Sequence, residues 1–134
     1  MNLDKDNSRI QKIIYYLKKK GIRTSLFIEP RIQYIRKAKK LGADCVELHT
    51  GKFCNLYNLN KKFINEFIKI KKVAKYANII GLEVHAGHGL TYQTAKMIKK
   101  IKNIKELNIG HFIISEAIFI GLKQAILNFK NVLK

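Results

Sequence analysis

An α/β fold built on a parallel sheet is predicted for this chain by three observations. Short β-branched runs alternate with stretches of helical period along the whole sequence, the pattern of successive β–α units. Three of the helical stretches close on a glycine, at Gly21, Gly42 and Gly81, the residue that ends a helix in left-handed backbone at little cost. The connections are short, so right-handed crossovers return each strand beside the previous one and in the same direction.

In chain order, Asn7 to Lys20 forms a first helix, with Asn7 or Ser8 as its cap and Ile10, Ile13, Ile14 and Leu17 at helical spacing. Ile22 to Ile28 is β-branched and aromatic and too short for a buried helix, which makes it the first strand. It ends at Glu29-Pro30, and Pro30 suits the first turn of a helix over 31–41 with Ile32, Ile35, Ala38 and Leu41 on its apolar face. The second strand is Ala43 to Leu48, closed by His49-Thr50-Gly51 and a polar loop through Asn60. Phe63, Phe67, Ile70, Ala74 and Ala77 then recur at steps of four and three, the signature of a helix with one buried side. Leu82 to Ala86 is the third strand, Thr91 to Ile101 a short helix, and Ile104 to Ile109 the fourth strand. A final helical stretch runs from about Ile113 to Lys134, with a break expected near Gly121. The order is one helix followed by four β–α units in a single domain, 1–134.

Two architectures accommodate that order. A doubly wound sheet is complete with four or five strands, whereas a (β/α)8 barrel needs eight strands and about 250 residues. Length favours the small sheet. The motifs favour the barrel, because a Gly-His pair ends each of the last two strands, at Gly87-His88 and Gly110-His111, and a phosphate site at the last two strands is a barrel habit.

The formal charge of +18 at pH 7 raises nucleic-acid binding as a function, since Lys and Arg supply most nonspecific affinity for phosphate backbones. The pattern argues against it. Arginine occurs only at 9, 23, 31 and 36, and the lysines are spread over every helical stretch instead of gathered in one stripe, whereas base readers favour Arg forks. A basic surface still attracts anionic substrates such as phosphate esters. No run of about 18 uncharged apolar residues occurs, and the opening MNLDKDNSR lacks the apolar core of a secretion signal, so the expected location is cytoplasmic, with no membrane contact. Cys45, in a strand-like run, and Cys54, in a loop-like one, lack metal-ligand spacing and are expected as free thiols.

The candidate site residues cluster at strand ends. Glycine there lets a backbone approach a ligand, and an adjacent imidazole donates or accepts a proton near neutral pH; His88 lies between two glycines. Backbone N–H groups at Gly89 and Gly110, with the amino end of the helix over Phe112 to Ala117, suit a phosphate, and Ser115 offers a further hydroxyl. Alternation puts Cys45, Glu47 and His49 on one face of the second strand and Val46 and Leu48 on the other. Glu47 therefore points into a barrel interior, where a carboxylate needs a partner or a function. Phe63, Phe67 and Phe129 are expected as packing.

Four blocks carry a family resemblance: SLFIEP at 25–30, VELHTG at 46–51, HAGHGLTY at 85–92 and ELNIGH at 106–111. In this order and at these intervals they resemble the carboxyl-terminal half of the pyridoxine 5′-phosphate synthase family, the ring-closing transferase of vitamin B6 biosynthesis, and the resemblance covers essentially all 134 residues. It implies a (β/α)8 barrel, assembled into a homo-oligomer, that condenses 3-amino-2-oxopropyl phosphate with 1-deoxy-D-xylulose 5-phosphate. The implied products are pyridoxine 5′-phosphate, phosphate and water, with no metal or organic cofactor. Carried over by motif, His88 is the proton donor and Glu47 the carboxylate that stabilises the transition state. Gly89, Gly110 and His111 belong to the substrate phosphate site.

The position before AGHG, often Asn in the family, is His85 here. The resemblance also implies that this chain holds strands five to eight. The family's remaining His and Glu proton acceptors and several substrate ligands then lie in an amino-terminal half, for which a separately encoded polypeptide is one possible source. Three readings of the chain stay open at this point: one piece of a split enzyme, an inactive remnant, or a basic phosphate-ester-binding or nucleic-acid-binding module. An open parallel sheet with bare edges is expected to self-associate.

Overall fold

The computed structural model describes residues 7–134. The opening residues 1–6, whose lack of an apolar core argued against a secretion signal, lie outside the described residues. Four parallel strands, β1 (Ser25–Ile28), β2 (Cys45–His49), β3 (Glu83–Gly87) and β4 (Ile104–Asn108), form one sheet in the order β1-β2-β3-β4. That order decides between the two architectures. A doubly wound sheet reverses its strand order at a switch point, whereas barrel strands follow one another around the sheet. The sheet is therefore a run of consecutive strands of a partial (β/α)8 barrel.

The helices are α1 (Asn7–Lys19), α2 (Ile32–Leu41), α3 (Gly51–Asn58), α4 (Ile64–Ile79), α5 (Tyr92–Ile98), α6 (His111–Ile120) and α7 (Leu122–Leu133). Gly42 caps α2 at φ 89° and takes its backbone N–H to the carbonyls of Ala38 and Lys39. Thr91 opens α5 with a reciprocal capping box to Thr94. Gly121, at φ 80°, divides α6 from α7 where the sequence suggested a break.

Three elements differ from expectation. The stretch after β2 is helix α3, not a polar loop, because Phe53 and Cys54 bury a face that the flanking Lys and Asn residues disguise. Phe53 meets Phe63 and Phe67, each ring centroid 5.9 Å away, so the expected packing role of those two phenylalanines has its centre in α3. Strand β1 begins at Ser25 instead of Ile22, since the backbone N–H of Thr24 bonds the Asp44 carboxylate at 2.9 Å. Pro30 precedes Arg31, the N-cap of α2, and so stands outside the helix.

The sheet has two unlike faces. Leu26, Ile28, Val46, Leu48, Val84 and Ala86 point to the helix layer and are buried against Ile35, Ala38, Ile70, Ala74 and Ile98. Each fully buried aliphatic side chain contributes about 1.5–3 kcal/mol, so this layer carries the fold. The other face presents Phe27, Cys45, Glu47, His49, Glu83, His85 and Gly87. A register shift between Val84 and His85 breaks the β3–β4 ladder: Val84 pairs with Ile104, but His85 pairs with Glu106 and Gly87 with Asn108. The extra residue, Lys105, turns Asn108 toward the polar face where an unbroken ladder would put Leu107.

Replacing Leu48 by Ala should lower stability by about 2–5 kcal/mol in urea titrations, while changes at exposed Lys105 should cost less than about 0.5 kcal/mol. Strands β1 and β4 each pair on one side only among the described residues, and Ile118 and Phe119 of α6 are 78% and 85% exposed. Light scattering should therefore show self-association, and a monodisperse 15.5 kDa monomer would contradict it.

Candidate active site

The carboxyl ends of β2 and β3 are tied by one buried threonine. Thr50 donates its backbone N–H to the Gly87 carbonyl at 2.9 Å. Its hydroxyl lies 2.8 Å from both the Gly87 and His88 carbonyl oxygens and shares its single proton between them. The Cys54 thiol, expected in a loop but buried in α3, approaches the same His88 oxygen at 3.8 Å. These contacts hold His88 at φ 77°, a left-handed backbone that costs a non-glycine residue about 1–3 kcal/mol. Gly89 follows at φ 79°.

The strained turn presents His88 to solvent and packs its ring on His49, with ring centroids 4.5 Å apart. Both imidazoles rest on the bare Cα of Gly51, where an added Cβ would stand 2.8 Å from a carbon of each ring. Phe27 of β1 closes the stack at 5.2 Å from His49. The Glu29 carboxylate reaches His49 Nδ1 at 3.3 Å without hydrogen-bond alignment. Burial holds His49 below the usual imidazole range; Glu29 acts in the opposite direction, and the facing His88 adds to the depression.

Glu47 projects from the polar face of β2, as alternation predicts. Its Oε2 accepts a 2.7 Å hydrogen bond from the Asn108 side-chain amide. Its Oε1 lies against Gly87 where a Cβ would collide with it. Gly87 and Asn108 are thus site residues that motif reasoning left without roles, although both stand inside the quoted blocks. Gly51 is a third, ending VELHTG.

Glu47, His88, Gly89, Gly110 and His111 all line one cleft of about 680 Å3, together with Phe27, Thr91 and Asn108. Gly110 is the N-cap of α6, which begins at His111, one residue before the expected amino end. A Cβ on Gly110 would meet nothing within 4 Å, so this glycine leaves the cleft wall bare instead of relieving a clash. Ser115 is not part of the lining. Both cysteines are free, as expected. Chemically, the cleft joins the amino end of a helix, an exposed imidazole and an anchored carboxylate, groups suited to anion binding and proton transfer.

Because His49 in the folded chain binds its proton more weakly than the free value of 6.5, the unfolded state gains the proton first as pH falls. Stability should drop as pH is lowered through 6.5, and urea midpoints of a His49→Asn variant should drop less over the same range. Parallel pH profiles for the two proteins would contradict this.

Comparison with known proteins follows the geometry. The family described as pyridoxal phosphate biosynthesis protein PdxJ matches residues 1–134. A pyridoxine 5′-phosphate synthase of Pelagibacter ubique is 52% identical over 132 residues, covering 98% of this chain and 55% of the relative. Relatives of the same name from Sulfurihydrogenibium sp. and Rhodospirillum rubrum are 47% and 50% identical, covering 92% and 85% of this chain and 50% and 45% of their own lengths. The chain spans about half the length of the curated relatives it matches. No helix among the described residues is long and apolar enough to cross a membrane. With its family match end to end and its strand tips meeting in one cleft, the chain belongs to the PdxJ family of pyridoxal phosphate biosynthesis proteins.

Proposed function

We propose that residues 1–134 act as one half-barrel unit that supplies the phosphate-binding and proton-donating side of a pyridoxine 5′-phosphate synthase site. The reaction is the condensation of 3-amino-2-oxopropyl phosphate with 1-deoxy-D-xylulose 5-phosphate. The observation that carries this reading is the shared cleft of Glu47, His88, Gly89, Gly110 and His111. Ring closure between an amino ketone and a sugar phosphate runs through Schiff-base formation, loss of water and phosphate, and deprotonation. Every one of those steps moves a proton or develops charge.

Backbone N–H groups at Gly89 and Gly110, the amino end of α6 and His111 take the phosphate, and the basic surface brings it in. His88, free of strand pairing and exposed to the cleft, donates the proton to a departing oxygen. His49 stays neutral at its back and gives the ring a fixed, uncharged surface to pack on. Glu47 faces the cationic imine as it forms, held in one rotamer by Asn108 and by the absence of a side chain at Gly87. Positioned acid–base groups of this kind contribute on the order of 10²- to 10⁴-fold. The remaining proton acceptors belong to the preceding half of the barrel, which also covers the open strand edges, and the assembled barrels form a homo-oligomer.

Coexpression with a polypeptide carrying strands one to four of a PdxJ relative should yield a complex that makes pyridoxine 5′-phosphate from the two phosphates. In it, His88→Asn and Glu47→Gln should each lower kcat by about 10²- to 10⁴-fold. Gly87→Ala should lower kcat as well, by displacing Glu47 with no functional group removed. If no complex forms and no product appears, the reading fails. The alternative of a non-catalytic basic module rests on the +18 charge, and it gains if the chain binds RNA at physiological salt but not inorganic phosphate.

A further inference from the structure

On the same polar face, toward the amino ends of β2 and β3, a second polar cluster gathers, and its His85 is the register partner of cleft-lining Glu47. Cys45 opens β2 and Glu83 opens β3, with His85 two residues further along the same face. One donor atom from each lies within 4.8 Å of the others. Cys45 and His85 are buried, with relative exposures of 3% and 7%. His85 Nε2 stands 2.8 Å from Glu83 Oε1, and its Nδ1 faces Glu106 at 3.7 Å.

The cluster already holds a cation. Nη2 of Arg23 sits 3.0 Å from Cys45 Sγ and 3.0 Å from Glu83 Oε1, between two of the three donors. Its side chain is 64% exposed and leads up to β1 from outside any regular element, so it can leave without disturbing packing. One soft sulfur, one imidazole and one carboxylate, with a fourth direction open, are the donor set of a zinc-type ion, and a carboxylate behind the second ring nitrogen is the support such a histidine uses.

We propose that Cys45, Glu83 and His85 bind one zinc-type divalent cation, with Arg23 as the displaceable resident of the same position. Binding replaces the thiol proton: the S–H bond breaks, sulfur keeps the electron pair and forms the metal bond, and the proton passes to solvent. The imidazole proton shifts from Nε2 to Nδ1, toward Glu106, with no net release. Thiolate and carboxylate then neutralise the two positive charges, and Arg23 swings into water.

The test titrates the 134-residue chain with zinc chloride against a chromophoric chelator and repeats the titration with cobalt as a spectroscopic substitute. One equivalent of zinc and a thiolate-to-cobalt charge-transfer band are expected. Cys45→Ser should abolish the band, and Cys45→Ser and His85→Ala should each weaken zinc by at least about tenfold. Arg23→Ala should tighten it by removing the competing cation, and Cys54→Ser should change nothing. Absence of the band in the wild-type chain overturns the proposal whether or not any variant folds. A band lost with Cys54→Ser instead, or weaker zinc binding in Arg23→Ala, also overturns it.

Discussion

A single buried hydroxyl governs the geometry of the site. Thr50 is fully enclosed and serves two carbonyls on the neighbouring strand tip with one proton. Without it, the Gly87 oxygen would keep only the Thr50 backbone N–H and the His88 oxygen only the more distant Cys54 thiol, at about 1–3 kcal/mol for an unsatisfied buried group. The left-handed turn at His88 would also lose what offsets its strain. Everything on the cleft side follows from that tie. It sets the imidazole outward and brings Gly87 under the Glu47 carboxylate, and it keeps α3 close enough for Cys54 to pack beneath Gly89. The tie belongs to the fold, and the chemistry uses the conformation that it enforces.

Charge is partitioned along the same lines. The chain has 27 basic and 9 acidic residues, yet Glu29, Glu47, Glu83 and Glu106 gather on or beside the polar face of the sheet. There they hold histidines, an amide and an arginine in set positions. The lysines remain at the periphery, where their field draws anions without competing for those carboxylates. A strongly basic protein thus keeps its functional face locally balanced, and the excess positive charge reads as a property of the solvated shell.

Much of this was legible in the sequence because it rests on local chemistry. Glycine at helix ends, the period of α2 and α4, and the alternation that turns Glu47 away from Val46 and Leu48 are all set by residues a few positions apart. The pairing of Gly87-His88 with Gly110-His111 across one cleft was legible through motif order. What escaped depends on partners distant in the chain. Helix α3 was hidden because its buried face is short and lies among polar residues, with its main aromatic contacts on α4. Gly51 read as turn chemistry and Gly87 as a strand end open to a ligand, since the His88 ring and the Glu47 carboxylate that need their bare Cα atoms come from other strands. The grouping of Cys45 with Glu83 and His85 exists only in the folded sheet, because 38 residues separate the first two in sequence.

The slip in the β3–β4 ladder has a consequence for how this gene can change. Lys105 is exposed and interchangeable as a side chain, and it is the residue the ladder passes over, since Ile104 and Glu106 face the consecutive residues Val84 and His85. A missense codon there is almost silent, and loss of the three nucleotides would close the bulge and leave Glu106, Leu107 and Asn108 opposite the residues they already face. The slip is therefore one residue of slack in reading length, and a gap at this point in a related gene would leave the amide beside the Glu47 carboxylate in place.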